Sequence, residues 1–494
     1  MKNCKNYIVF TLTLILFGCG YEFPSSTEDP QFENGNANFE NFIILGGSVS
    51  SGFMDGAWYS EGQNYAYADQ IGRMVEEELG TDIYMDIPIH SEKGFNKEAL
   101  EEFQNTPGKY ELIFLSPTEE WPVRIPTNGE ELKPLSEDFN DVSNYSLPGL
   151  NITQIDEVSL AGNIYFDRLE GWPGGQSLLD VSLSQEPTLF ILEAGITNIF
   201  KYASEGGRGD ENPDPVNIFP DDLIPISVFE KSFMNAVERI LSESEAELFV
   251  LTIPDLFKLP YFTQLPWYFS LAEFEKIREM NLDNLYGEFN RHVQDYNNDV
   301  ESFDERRPVI VFDVLGGESF RGKVIVDEYL SDAQTSVGTV IPKYRQMSNE
   351  DYFLYSAQIR HRESMETNAK LGTEEPVSDR YIITKAEFEI VTERRNEFNA
   401  IIRELANSNP RVHLLDFEQL IENVNEGSER FNSVNFTLNF DYQGVISADG
   451  YSLNPKGQAL LANLFIKYLN KNFSSNLPLI DVNSKRGNVY VNDF

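Results

Sequence analysis

The chain of 494 residues is 41% hydrophobic and 13% aromatic, a composition that excludes a disordered chain and supplies a sizeable core. A formal net charge of −42 argues against nucleic acid as a partner, because an acidic surface repels a polyanion. The acidity is spread along the chain, as a heavily solvated surface requires, and the length suits roughly two to three domains or one elaborated domain.

Lys2 and Lys5 precede an apolar run over residues 7–17 that is too short to span a bilayer. The run ends in Leu16-Phe17-Gly18-Cys19, which resembles a bacterial lipobox, with cleavage before Cys19 and lipid on its sulfur. Residues 1–18 thus read as a lipoprotein signal peptide. The only cysteines are Cys4 and Cys19, so the mature chain would hold no disulfide and no cysteine-based metal site. Acyl chains on Cys19 would anchor it durably in a bilayer. Residues 19–38 carry Glu22, Glu28, Asp29 and Glu33 and read as an acidic, flexible tether. Acidic residues behind the cysteine resemble the surface-export signal of Bacteroidota lipoproteins. The expected location is the outer membrane, with the cell surface favoured over the periplasmic face.

Folded sequence is expected from about Asn38. A strand over 42–45 runs into Gly46-Gly47-Ser48 and Gly52. A buried strand that stops abruptly and presents a serine at its carboxyl end looks like this. A helix is expected over 65–79, ending at Gly80, then a short strand over 111–115 and an irregular stretch over 119–145. Strands follow at 188–195, 248–253, 309–313 and 412–416, and helices at 223–242, 271–296, 385–406 and 455–469. The last of these has Pro455 in its first turn. Two long insertions, 119–187 and 316–376, interrupt the alternation, and 485–494 reads as a tail. Strands alternating with helices predict an α/β fold with a short, mainly parallel sheet, as one domain over 39–484.

Alone, Ser48 reads as a turn residue, since Gly46-Gly47-Ser48-Val49-Ser50 lacks the last glycine of a nucleophile elbow. From 41 to 484, however, the chain resembles the SGNH/GDSL hydrolases. The resemblance is carried by Gly46-Gly47-Ser48, Leu147-Pro148-Gly149, the block from Leu192 to Asn198, Thr252-Ile253-Pro254-Asp255, Asp449-Gly450-Tyr451-Ser452 and the run from Asn454 to Leu460. It implies a three-layer α/β/α sandwich of flavodoxin-like topology. By the same resemblance Ser48 falls on the nucleophile, Gly149 on the oxyanion glycine and Asp449 on the acid. Three positions depart from the family: Gly47 replaces the aspartate before the serine, Thr197 replaces the oxyanion asparagine, and Ser452 replaces the base histidine. Asn198 could serve for the asparagine only through a shift of one residue.

The chain has four histidines, His90, His292, His361 and His413. His292 is expected in a helix, His413 in a buried strand, and His90 and His361 in loops, all away from the C-terminal segment where the base belongs. A serine hydroxyl without a base is a poor nucleophile. The expectation is therefore a pseudo-hydrolase without cofactor or metal, acting as a binding or structural subunit of an outer-membrane complex for β-barrel assembly, secretion or uptake. The alternatives are an active serine esterase or lipase with Ser48 as nucleophile, and a glycan- or lipid-binding module. A carboxylate-only calcium site stays open at this acidity.

Overall fold

The computed structural model describes residues 31–492, apart from 82, 84, 86–90, 102, 104, 115–121, 137–138, 140–141, 161, 278–281, 303–304, 314–316 and 368–369. Cys19 and His90 lie outside the described residues.

The apolar runs form a four-stranded parallel sheet. Its strands are β1 (Phe42–Leu45), β2 (Leu189–Leu192), β3 (Glu247–Leu251) and β4 (Val412–Leu415), paired in that order. All residues of β1 and β2 are buried, as a sheet covered on both faces requires. Beyond β1 the chain at 143–147 runs alongside it: Ile44 donates to Ser143 O at 2.8 Å, and Tyr145 donates to Ile44 O at 2.8 Å. This parallel bridge gives β1 a neighbour on each side, so the connection after β1 returns to the edge before the chain crosses to β2.

The helices include α1 (Tyr67–Leu79), α2 (Leu178–Ser184), α3 (Ile196–Ser204), α4 (Ile226–Glu243), α5 (Lys385–Ser408), α6 (Phe417–Asn425) and α7 (Pro455–Asn472). Phe465 of α7 stacks on Phe42 at 5.5 Å and meets Phe249 of β3 at 4.9 Å, so α7 covers one side of the sheet. Phe398 of α5 stacks on Phe229 of α4 at 3.9 Å, and Asn399 of α5 bonds both backbone groups of Ile253 just past β3.

Several expected elements differ. The irregular stretch holds a strand, Val123–Asn128, antiparallel to Pro107–Phe114. Tyr490–Asn492, expected in a tail, completes that second sheet in parallel with Pro107–Phe114. No strand forms at 309–313, because Asn290 and Gln346 side chains take the amides of Ile310 and Val311 that a ladder would need. The helix expected over 271–296 is described as Leu271–Ile277 and Leu282–Asp299, with 278–281 outside the described residues. Residues 317–383 hold short antiparallel strand pairs and the helix Gln358–Thr367, which carries His361.

Candidate functional site

The carboxyl edge of the sheet is where a parallel α/β fold gathers its chemistry. There β1 ends at Gly46-Gly47, and the glycines make room for the side chains that follow the neighbouring strand. A Cβ on Gly46 would stand 2.5 Å from Glu193 Cβ, and one on Gly47 would stand 2.7 Å from Thr197 Oγ1. An aspartate at position 47 would therefore collide with the residue that occupies the asparagine position.

Beneath the turn lies Glu193, the residue after β2, only 5% exposed. Its Oε2 accepts the amides of Gly47 at 3.1 Å and Ser50 at 2.8 Å. Burial raises this carboxyl above its ordinary range, against the lowering effect of hydrogen bonds from Ser50, Gly47 and Val49. Glu193 shapes the turn from below and leaves Ser48 on top. The Ser48 hydroxyl accepts the Gly149 amide at 3.2 Å. Gly149 has φ +75 with nothing within 4 Å of an added Cβ, so its backbone conformation selects glycine there. Ser48 and Gly149 thus meet from far apart in sequence, with Thr197 beside Gly47. Asn198, one residue on in α3, has a buried Oδ1 without a hydrogen-bond partner among the described residues.

The acid position is built differently. Asp449 is fully buried. Its Oδ2 accepts the Gly56 amide at 2.9 Å, and Oδ1 accepts the amides of Tyr451 at 2.9 Å and Ser452 at 2.8 Å. Ser452 is 5% exposed, and its hydroxyl finds no partner among the described residues. Around this loop the space is aromatic: Tyr451 packs on Phe200 at 4.1 Å, Phe53 at 6.3 Å and Tyr261 at 5.8 Å.

Two further groups hold the loop. Arg124 donates to the Asp449 carbonyl at 3.0 Å, lies over the Tyr110 and Tyr355 rings at 4.5 and 4.6 Å, and pairs with Glu98 at 2.7 Å. Asp55 accepts from the Ala448 amide at 2.9 Å and the Tyr59 hydroxyl at 2.7 Å, while its own amide donates to Ser447 Oγ. Burial holds the Asp55 carboxyl above its ordinary range.

The described histidines stand elsewhere. On β4, His413 bonds Glu247 at 2.7 Å and Tyr468 at 3.1 Å. His361 bonds Glu273 at 3.2 Å, and burial lowers its pKa. His292 lies 4.0 Å from Glu288. No described histidine hydrogen-bonds Ser48 or Asp449, and among the described residues no group of three or more His, Cys, Asp or Glu is arranged to hold a metal ion. None of their helices is long and apolar enough to cross a membrane.

The sequence pattern singled out Ser48, Gly149, Thr197, Asp449 and Ser452 but missed Glu193, Asp55 and Arg124. For Glu193 a signal existed: a lone carboxylate closing an apolar strand opposite a Gly-Gly turn. No family model matches the chain, and no curated protein matches it.

Proposed function

We propose that the protein is a lipid-anchored, non-hydrolytic member of the SGNH-type three-layer sandwiches, acting as a binding or structural subunit of an outer-membrane protein complex. One observation carries the reading. The acid-position carboxylate of Asp449 is committed to the amides of Gly56, Tyr451 and Ser452, and a buried serine stands where an imidazole would take the nucleophile's proton. Loss of the base costs on the order of 10⁴–10⁶ in turnover, and loss of one oxyanion donor on the order of 10²–10³. Either leaves too little rate for a working esterase. The sheet order and the covering of α7 on one side support the sandwich. Cys19 and its acidic followers support the anchor.

The test treats purified protein with a fluorophosphonate probe and p-nitrophenyl esters. No labelling and no turnover are expected, and a signal that vanishes in Ser48→Ala overturns the non-hydrolytic reading. Crosslinking and affinity isolation from detergent-solubilised membranes should recover a defined partner; a chain that always runs alone overturns the subunit reading. The Gly149 amide resting on the Ser48 hydroxyl favours one second reading, an active serine esterase, and the probe experiment separates the two.

A further inference from the structure

At the carboxyl edge of β3 and β4, the half of the sheet away from Ser48, a cleft of about 260 Å³ lies between α5 and α6. Asp255 lines it from shortly after β3, Arg395 and Arg403 from α5, and Glu418, Ile421 and Glu422 from α6. Asn399, between the two arginines on α5, ties this wall to the sheet through both backbone groups of Ile253 and donates to Glu418 at 3.2 Å. The crevice outside the carboxyl ends of parallel strands is where open α/β sheets take their ligands.

The two arginines differ. Arg403 is engaged at both terminal nitrogens, donating to Asp416 at 2.9 and 3.0 Å and to Glu418 at 2.8 Å. Arg395 is only 9% exposed, and its Nη2 donates to Asn396 Oδ1 at 2.8 Å. Its Nε and Nη1 have no hydrogen-bond partner among the described residues, where no other arginine has two such atoms. The flanking carboxylates stop short. Asp255 Oδ1 is 3.4 Å from Nη1 and Glu418 Oε1 is 3.5 Å from Nη2, where a charge-assisted hydrogen bond closes to about 2.7–2.9 Å. Orphaned buried donors are rare and costly, and this guanidinium lies in the cleft wall between two carboxylates.

Charge selects the occupant. Asp416 and Glu418 balance Arg403, Lys258 holds Glu422 at 3.2 Å, and Asp255 and Glu418 flank Arg395. A phosphate or a free carboxylate would meet the carboxylates of Asp255, Glu418 and Glu422, and an ammonium would meet two guanidinium groups. A hydroxyl brings no charge, and its one oxygen accepts from an N–H and donates to a carboxylate. Adjacent hydroxyls on a ring repeat that pattern, and Ile421 adds an apolar wall. The cleft is slightly smaller than the roughly 300–1,000 Å³ of pockets for drug-sized ligands, which suits a single ring. We propose that the cleft between α5 and α6 binds a neutral monosaccharide through the Arg395 guanidinium and the carboxylates of Asp255 and Glu418.

Saturation-transfer difference NMR and isothermal titration calorimetry on the full chain test this site. The probes are glucose, galactose, mannose, fucose, rhamnose, N-acetylglucosamine and N-acetylgalactosamine, with inorganic phosphate and glycine beside them. At least one neutral sugar is expected to bind, and phosphate and glycine are not. Arg395→Lys, which keeps the charge and removes the fork, is expected to weaken that sugar about tenfold or more. Asp255→Ala changes a side chain that is 27% exposed. It is expected to weaken the sugar by a similar factor, and it decides alone if Arg395→Lys fails to fold. A panel of sugars that all fail to bind, tighter binding of phosphate or glycine, or a sugar affinity untouched in a folded variant overturns the proposal.

Discussion

Around Ser48 the decisive contacts are made by side chains that never touch it. Glu193 satisfies two amides inside the strand-edge turn, and an unsatisfied buried amide costs about 1–3 kcal/mol. Glu193→Ala should therefore lower stability by about 2–4 kcal/mol, read as a fall in the urea midpoint. Glu193→Gln, which keeps an acceptor, should cost less. Ser452 gives the opposite sign. Its buried hydroxyl has no partner among the described residues, so Ser452→Ala should be neutral or stabilise by up to about 1 kcal/mol; a clear loss in the urea midpoint would overturn this. The Ser48 turn was legible because an apolar run ends there in Gly46-Gly47-Ser48. Glu193 left one trace, a lone carboxylate closing an apolar strand, and Asp55 and Arg124 left none, because their roles are defined by partners distant in sequence and no local period records such a pairing.

At the level of elements, α5 joins the sheet to the segment at 317–383. Its start is a capping box, with Thr384 and Glu387 satisfying each other's end of the turn. Thr384→Ala should cost about 1 kcal/mol. Its middle rests on α4 through Phe398 and Phe229, and Phe229→Ala should cost about 3–5 kcal/mol. Both are measurable by chemical denaturation, and a Phe229 effect below that of Thr384 would remove this stack as a main support. The four sheet strands were legible because burial on both faces makes them unbroken apolar runs. Of the strand pair at 107–128, the end of the first strand was legible as the expected strand over 111–115, but its start and the second strand were not, because their residues are partly half-buried and their apolar alternation is diluted by Lys109 and Arg124. The error at 309–313 runs the other way. Val309 and Val311 are 39% and 37% exposed, so an apolar composition stood in for a strand although side chains had claimed its amides.

For the whole molecule, the charge of −42 predicts mutual repulsion that salt relieves. Raising ionic strength from about 0.01 M to about 0.15 M shortens the screening length from about 30 Å to about 8 Å. The melting temperature should rise by a few degrees in differential scanning calorimetry, and a fall would show that attractive ion pairs dominate the surface. Another global property follows from where the described chain begins. Glu33 bridges Asn476, and the Asn36 amide donates to Phe473 O at 2.7 Å, so the amino-terminal segment is stapled to the far end of α7. That helix starts just after the Asp449 loop and, at 1.5 Å per residue, spans roughly 27 Å. The strand edge and the stapled end are thus opposite poles of one rod. If the chain is held by its amino terminus, as the anchored reading proposed above requires, the Ser48 edge lies at the end of α7 away from that attachment.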